Sequence, residues 1–118
     1  MTPDPTPEIP ADELVAQYLT DAGMEILARN WRCTYGEISL IAEDAGITVF
    51  VYVHTRIGSA FQVPAGAVSF AKQQRLRRLS LLWLSEQEGP WWQVRFDVAA
   101  VILMPGCEPD VQHFRSAF

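Results

Sequence analysis

The sequence predicts an α/β domain in which a mixed sheet is flanked by helices, in the order αβββαβ(β). Three observations point to it. Apolar residues near the start recur at helical spacing. Three short strand-like runs follow, two of them joined by Asp44-Ala45-Gly46. A long amphipathic stretch then leads into a nearly unbroken apolar run, as expected for a helix feeding a buried strand. The 118 residues, 49% of them hydrophobic, suit one domain with one core.

Pro3, Pro5 and Pro7 keep residues 1–9 from regular structure, so this segment is read as a flexible tail and residues 10–118 as the domain. Pro10 fits the first turn of a helix. Leu14, Tyr18 and Ala22, with Val15 and Leu19, give helical periodicity, and Gly23 is a natural stop, so the first helix spans about 10–22. Met24 to Cys33 reads as a strand, and Tyr35-Gly36 as a turn. Glu37–Glu43 and Ile47–Thr55 are rich in Ile, Val and Phe, and their short connection makes them an antiparallel hairpin. Gly58, Pro64 and Gly66 mark a loop over 57–66. A second helix over about 66–87 carries Val68, Leu76, Leu79 and Trp83 on one face and ends at Gly89-Pro90. Val94 to Met104 is a central strand, Pro105-Gly106 a turn, and Val111 to Phe114 an edge strand. A strand, a helix and a further strand in one sheet imply a crossover, so the late strand should run parallel to the third.

The formal charge of −5, from 9 basic and 14 acidic residues, argues against a surface that binds polyanions everywhere. The charge is uneven, however. Residues 1–25 hold six acids and no Lys or Arg, whereas Lys72, Arg75, Arg77 and Arg78 cluster on the second helix. Such a run is most often a solvated helix face, and its functional reading is contact with nucleic acid. Cys33 and Cys107 form no metal motif and are read as reduced thiols, although one disulfide is formally open to them. No apolar run approaches the roughly 20 residues of a membrane span. Met1 to Pro10 lacks the basic start and apolar segment of a secretory signal, so a cytoplasmic location is expected.

Chemistry would sit on the hairpin. Counting outward from a turn at Ala45-Gly46 places Ser39 opposite Tyr52 and Glu37 opposite His54, and strict alternation puts all four on one face. Opposed side chains there start about 5 Å apart. Carboxylates on both strands, with a lysine two residues further on, would hold Mg²⁺ and polarise a phosphate and its attacking water.

Gly36-Glu37-Ile38-Ser39-Leu40-Ile41-Ala42, followed by Val49-Phe50-Val51-Tyr52-Val53-His54-Thr55-Arg56, resembles the signature of the YraN family. The likeness extends over roughly residues 11–118. It takes in Glu13, Ala16 and Tyr18-Leu19, then Arg29-Asn30-Trp31-Arg32, Phe61, Lys72, Arg95-Phe96-Asp97-Val98, and Arg115 to Phe118. The resemblance implies a restriction-endonuclease-like fold, similar to Holliday junction resolvases, and the activity of a metal-dependent endonuclease. This chain departs from the pattern where that activity would reside. The family has Asp at Ser39, Glu at Tyr52 and Lys or Arg at His54. It also has Gly at Asp12 and at Gln62.

A neutral serine is a poor Mg²⁺ ligand, Tyr52 is bulky and uncharged, and imidazole is no dependable substitute for a lysine cation. The expectation is a degenerate site at Glu13, Ser39, Tyr52 and His54, with Glu37 beside them. No cofactor and no catalysis are expected. The alternative is a rerouted nuclease in which Glu13, Glu37 and His54 hold Mg²⁺ or Mn²⁺. The scaffold then implies a weak nucleic-acid-binding module using Arg56, Lys72 and Arg75, with branched or double-stranded DNA as partner. A further alternative, from another class, is a protein-interaction or structural domain presenting Trp91-Trp92 to a protein partner. Trp31 and Trp83 read as core, and no membrane partner is expected.

Overall fold

The computed structural model describes residues 9–57, 68–89 and 93–118. The expected tail, most of the loop after the hairpin, and Trp91-Trp92 lie outside these residues. Helix α1 (Ala11–Asp21) starts directly after Pro10, whose carbonyl accepts from the backbone N–H groups of Glu13 and Leu14 at 3.0 Å. Strands β1 (Glu25–Cys33), β2 (Gly36–Asp44) and β3 (Ile47–Ile57) follow, then helix α2 (Phe70–Ser85) and strands β4 (Val94–Leu103) and β5 (Asp110–Phe114). The five strands form one sheet in sequence order. β3 and β4 are parallel across the α2 connection, and the other neighbours are antiparallel. This is the expected mixed sheet with flanking helices, and it is compatible with a restriction-endonuclease-like fold.

The helices cover opposite faces. Val15, Ala16 and Leu19 of α1 pack on Leu40, Ala42, Val49, Val51, Ala99 and Val101. Leu76, Leu79 and Trp83 of α2 pack on Ile38, Ile41 and Phe50. Phe50 is the centre of the second layer. It meets Trp83 edge-on at 5.8 Å and stacks on Phe96 at 5.7 Å. Tyr18, part of the helical periodicity, lies at the flank of α1, edge-on to His113 at 5.8 Å. α2 begins later than its periodicity predicts. Ser69 is its cap, with Oγ accepting from the Lys72 N–H at 3.2 Å, and that bond sets the start at Phe70. Cys33 and Cys107 are free thiols.

The hairpin register is the one expected, running from Asp44↔Ile47 to Leu40↔Val51. Ala45 (φ 49°) and Gly46 (φ 87°) both take positive φ, as a two-residue turn matched to strand twist requires. β1 is less regular. Its pairing slips between Ile26 and Ala28, and Asn30 takes φ 50°. As a result Ala28 and Trp31, three residues apart, both face α2, as do their partners Ile41 and Ile38. Alternation therefore breaks at Asn30 and at Ser39, which lies between those paired positions.

Candidate functional site

Ser39 and Tyr52 occupy the next position beyond the Leu40↔Val51 pair, where the kink has disturbed the pleat. Both line a cavity of about 190 Å³ beneath α2, together with Glu37, Lys72, Arg75, Leu76 and Leu79. Lys72 stands in the first turn of α2. Its Nζ donates to the Tyr52 hydroxyl at 3.1 Å and lies 5.6 Å from the ring centroid. The His54 ring stacks on Tyr52 at 6.4 Å, and His54 does not line the cavity. Arg56 is two positions further along β3, across from Ile102, and also lies outside the cavity lining.

The carboxylates do not converge as expected. Glu13, on α1, is ion-paired with Arg29. Glu37 accepts from Arg32 Nε at 3.0 Å. It also acts on α1: burial first, and then the negative charge of Glu37, raise the Asp12 carboxyl above its usual range. Glu37, Ser39 and Tyr52 nonetheless line the same cavity, with His54 stacked against Tyr52, although Ile38 and Ile41 show that strict alternation is broken between them. Among the described residues no group of three His, Cys, Asp or Glu is placed to hold a metal ion. The donors at the nuclease-motif positions are two neutral hydroxyls, one of them already bonded to an ammonium. That set does not fit Mg²⁺ or Mn²⁺, which need anionic oxygen and are repelled by a cation at this distance.

It suits an anion instead. Of the nine Lys and Arg residues, Arg29, Arg32, Arg95 and Arg115 each face a carboxylate. Arg77 departs from the expected patch and lies over Phe96 at 4.8 Å and Phe118 at 5.6 Å. Lys72, Arg75 and Arg78 have no carboxylate partner among the described residues. All three border either the Ser39–Tyr52 cavity or an adjoining groove of about 680 Å³, lined by Tyr35, Ala71, Gln74, Arg75, Arg78, Leu79 and Leu82. Arg75 and Leu79 line both, so the two spaces are neighbours on either side of these residues.

A second polar cluster was not anticipated from the sequence. Asp97 is fully buried in β4. Arg95 grips it with two bonds, Nε to Oδ1 at 2.9 Å and Nη2 to Oδ2 at 3.0 Å. His113 Nε2 lies 2.7 Å from Oδ2, and the Ser116 N–H donates to Oδ1 at 3.0 Å. Arg95 also reaches Asp44 at 3.0 Å. Burial by itself pushes the Asp97 carboxyl up. The bonds from His113, Arg95 and Ser116, with the charge of Arg95, outweigh it and hold the group below the usual carboxylate range. The one sequence signal was an acid next to an all-apolar strand with an arginine two residues earlier. This cluster is enclosed, and it ties β4 and β5 together.

Comparison with known proteins places the chain among relatives of one family. A model of the "Uncharacterised protein family UPF0102" matches residues 11–101. A UPF0102 protein of Nocardia farcinica is 59% identical over 107 residues, covering 91% of this chain and 84% of that protein. One from Rhodococcus opacus is 50% identical over 107 residues, covering 91% of each chain. A third, from Mycobacterium tuberculosis, is 46% identical over 109 residues, covering 88% of this chain and 85% of the relative. With a family model and relatives this similar coinciding over nearly the whole domain, the chain belongs to the uncharacterised protein family UPF0102, the YraN family that its hairpin resembles.

Proposed function

We propose that this chain is a cytoplasmic, non-catalytic module that binds nucleic acid through phosphate, without a metal ion. The observation that carries this reading is the gathering of Lys72, Arg75 and Arg78, which have no carboxylate partner among the described residues, around two adjoining spaces where the lining carboxylate, Glu37, is itself paired with Arg32. In a metal nuclease a cation bridges acidic side chains and phosphate. Here the acids are hydroxyls and the lysine itself supplies the charge, so the phosphate meets the protein directly. Ser39 and Tyr52 offer hydroxyls to its oxygens. The formal charge of −5 opposes long-range attraction, so binding is weak and steeply salt-dependent.

Electrophoretic shift and fluorescence anisotropy with linear, branched and single-stranded DNA at low salt test this. Complexes are expected at micromolar protein, and Lys72→Ala should weaken them and lower the salt slope by about one. No cleavage of plasmid or branched DNA is expected with Mg²⁺ or Mn²⁺. Absence of any complex at high micromolar protein would remove the proposal. A protein-interaction role is the second reading, favoured by Phe70 and Leu81, which are 73% and 67% exposed on α2. A partner captured after nuclease treatment, and lost on Leu81→Ser, would support it.

A further inference from the structure

We infer that the nucleic acid taken by this site is a single strand, with one phosphate in the Ser39–Tyr52–Lys72 cavity and the neighbouring base stacked on Tyr35 in the adjoining groove. The inference rests on the reading of the site as a phosphate binder and adds which form of nucleic acid it accepts. The cavity of about 190 Å³ is too small for a nucleoside, whereas the groove of about 680 Å³ lies within the roughly 300–1,000 Å³ of small-ligand sites. Tyr35, in the turn between β1 and β2, is 75% exposed at the groove wall. An aromatic ring held out beside arginines that have no carboxylate partner among the described residues suits an unstacked base.

Gly36, next to Tyr35, has φ +145°, a backbone conformation that side-chain-bearing residues rarely adopt, and the turn lies close to Leu79 and Arg75 of α2. Arg75 lines both spaces and is placed between phosphate and base, while Arg78 continues the positive charge along the groove. A duplex keeps its bases stacked inside and offers Tyr35 no base face. An acidic peptide would answer the charge but leave Tyr35 without a stacking partner.

The test is anisotropy at low salt with labelled deoxythymidine and uridine strands of about ten nucleotides, a duplex of the same length, and a polyglutamate peptide as competitor. Either single strand should bind at least about tenfold tighter than the duplex. Tyr35→Ala should weaken it about fivefold or more, the loss expected for one stacked base, while Tyr35→Phe stays near wild type. Polyglutamate should not compete at equal charge concentration. Equal affinity for strand and duplex with Tyr35→Ala silent, while Lys72→Ala weakens both, would overturn this inference and leave phosphate binding standing. Effective competition by polyglutamate would also overturn it. No binding to any nucleic acid would remove both proposals. Because Tyr35 is so exposed, circular dichroism of its variants should match wild type.

Discussion

Replacing Asp97 by Asn tests whether one buried carboxylate holds the sheet to residues 113–116. The native carboxylate accepts four bonds, two at each oxygen, from Arg95, His113 and the Ser116 N–H. An asparagine of the same shape keeps one acceptor oxygen and turns an NH₂ group toward donors at the other. Bonds to a charged group contribute about 1.5–3 kcal/mol each, and stripping one partner from a buried ion pair costs about 3–5 kcal/mol. Arg95 retains Asp44 at 3.0 Å, so the expected loss is at the lower end, about 3 kcal/mol. For a domain of this length that is a fall in Tm of roughly 10–15 °C.

Urea titration and thermal melts followed by circular dichroism read this directly. The folded-state pKa of Asp97 is depressed, so its contribution is complete above the ordinary value of 3.8 and disappears as pH falls through the lower folded value. The gap between wild type and Asp97→Asn should therefore be widest near neutrality and close below about pH 4. A variant within about 0.5 kcal/mol of wild type at pH 7 would refute the reasoning.

Three further outcomes are expected. Gly36→Ala forces a side chain into positive φ and should cost about 1–3 kcal/mol, seen as a lower denaturant midpoint. Phe50→Ala empties the space between Trp83 and Phe96 and should cost about 3–5 kcal/mol in the same assay. The combined substitution Ser39→Asp, Tyr52→Glu and His54→Lys should create Mn²⁺ binding measurable by calorimetry, where the wild-type chain gives none. Micromolar Mn²⁺ binding by wild type that Glu37→Ala abolishes would contradict the account of the donor set.

Local signals made the hairpin legible in the sequence. Ala45-Gly46 between two β-rich runs fixes the turn, and the turn fixes the pairing of residues 40–44 with 47–51. The stripe Leu76, Leu79 and Trp83 likewise announces the buried face of α2. Asn30 gives no such warning. Its left-handed backbone accompanies the placing of Ala28 and Trp31, three residues apart, on the same side of the sheet, which simple alternation does not announce. Lys72 is legible in the sequence as part of the basic run on the second helix, but only the fold shows it reaching Tyr52. The Asp97 cluster joins residues 16 to 71 positions apart, a separation no periodicity encodes, and His113 alone offered nothing to read. Tyr35 looked like a turn residue and is one; its place beside Arg75 and Arg78 comes from α2 docking against that turn.

The Asp97 cluster also bears on how the sheet closes. A chain cut short after β4 lacks His113 and Ser116. Its Asp97 carboxylate then sits in a largely apolar strand, answered by Arg95 and through it by Asp44. Such a chain would have to leave that carboxylate hydrated, and so keep the centre of the sheet open. Closure of the sheet is thus coupled to the docking of β5. A chain truncated between Leu103 and Asp110 should be protease-sensitive and incompletely consolidated, where the 118-residue chain is resistant.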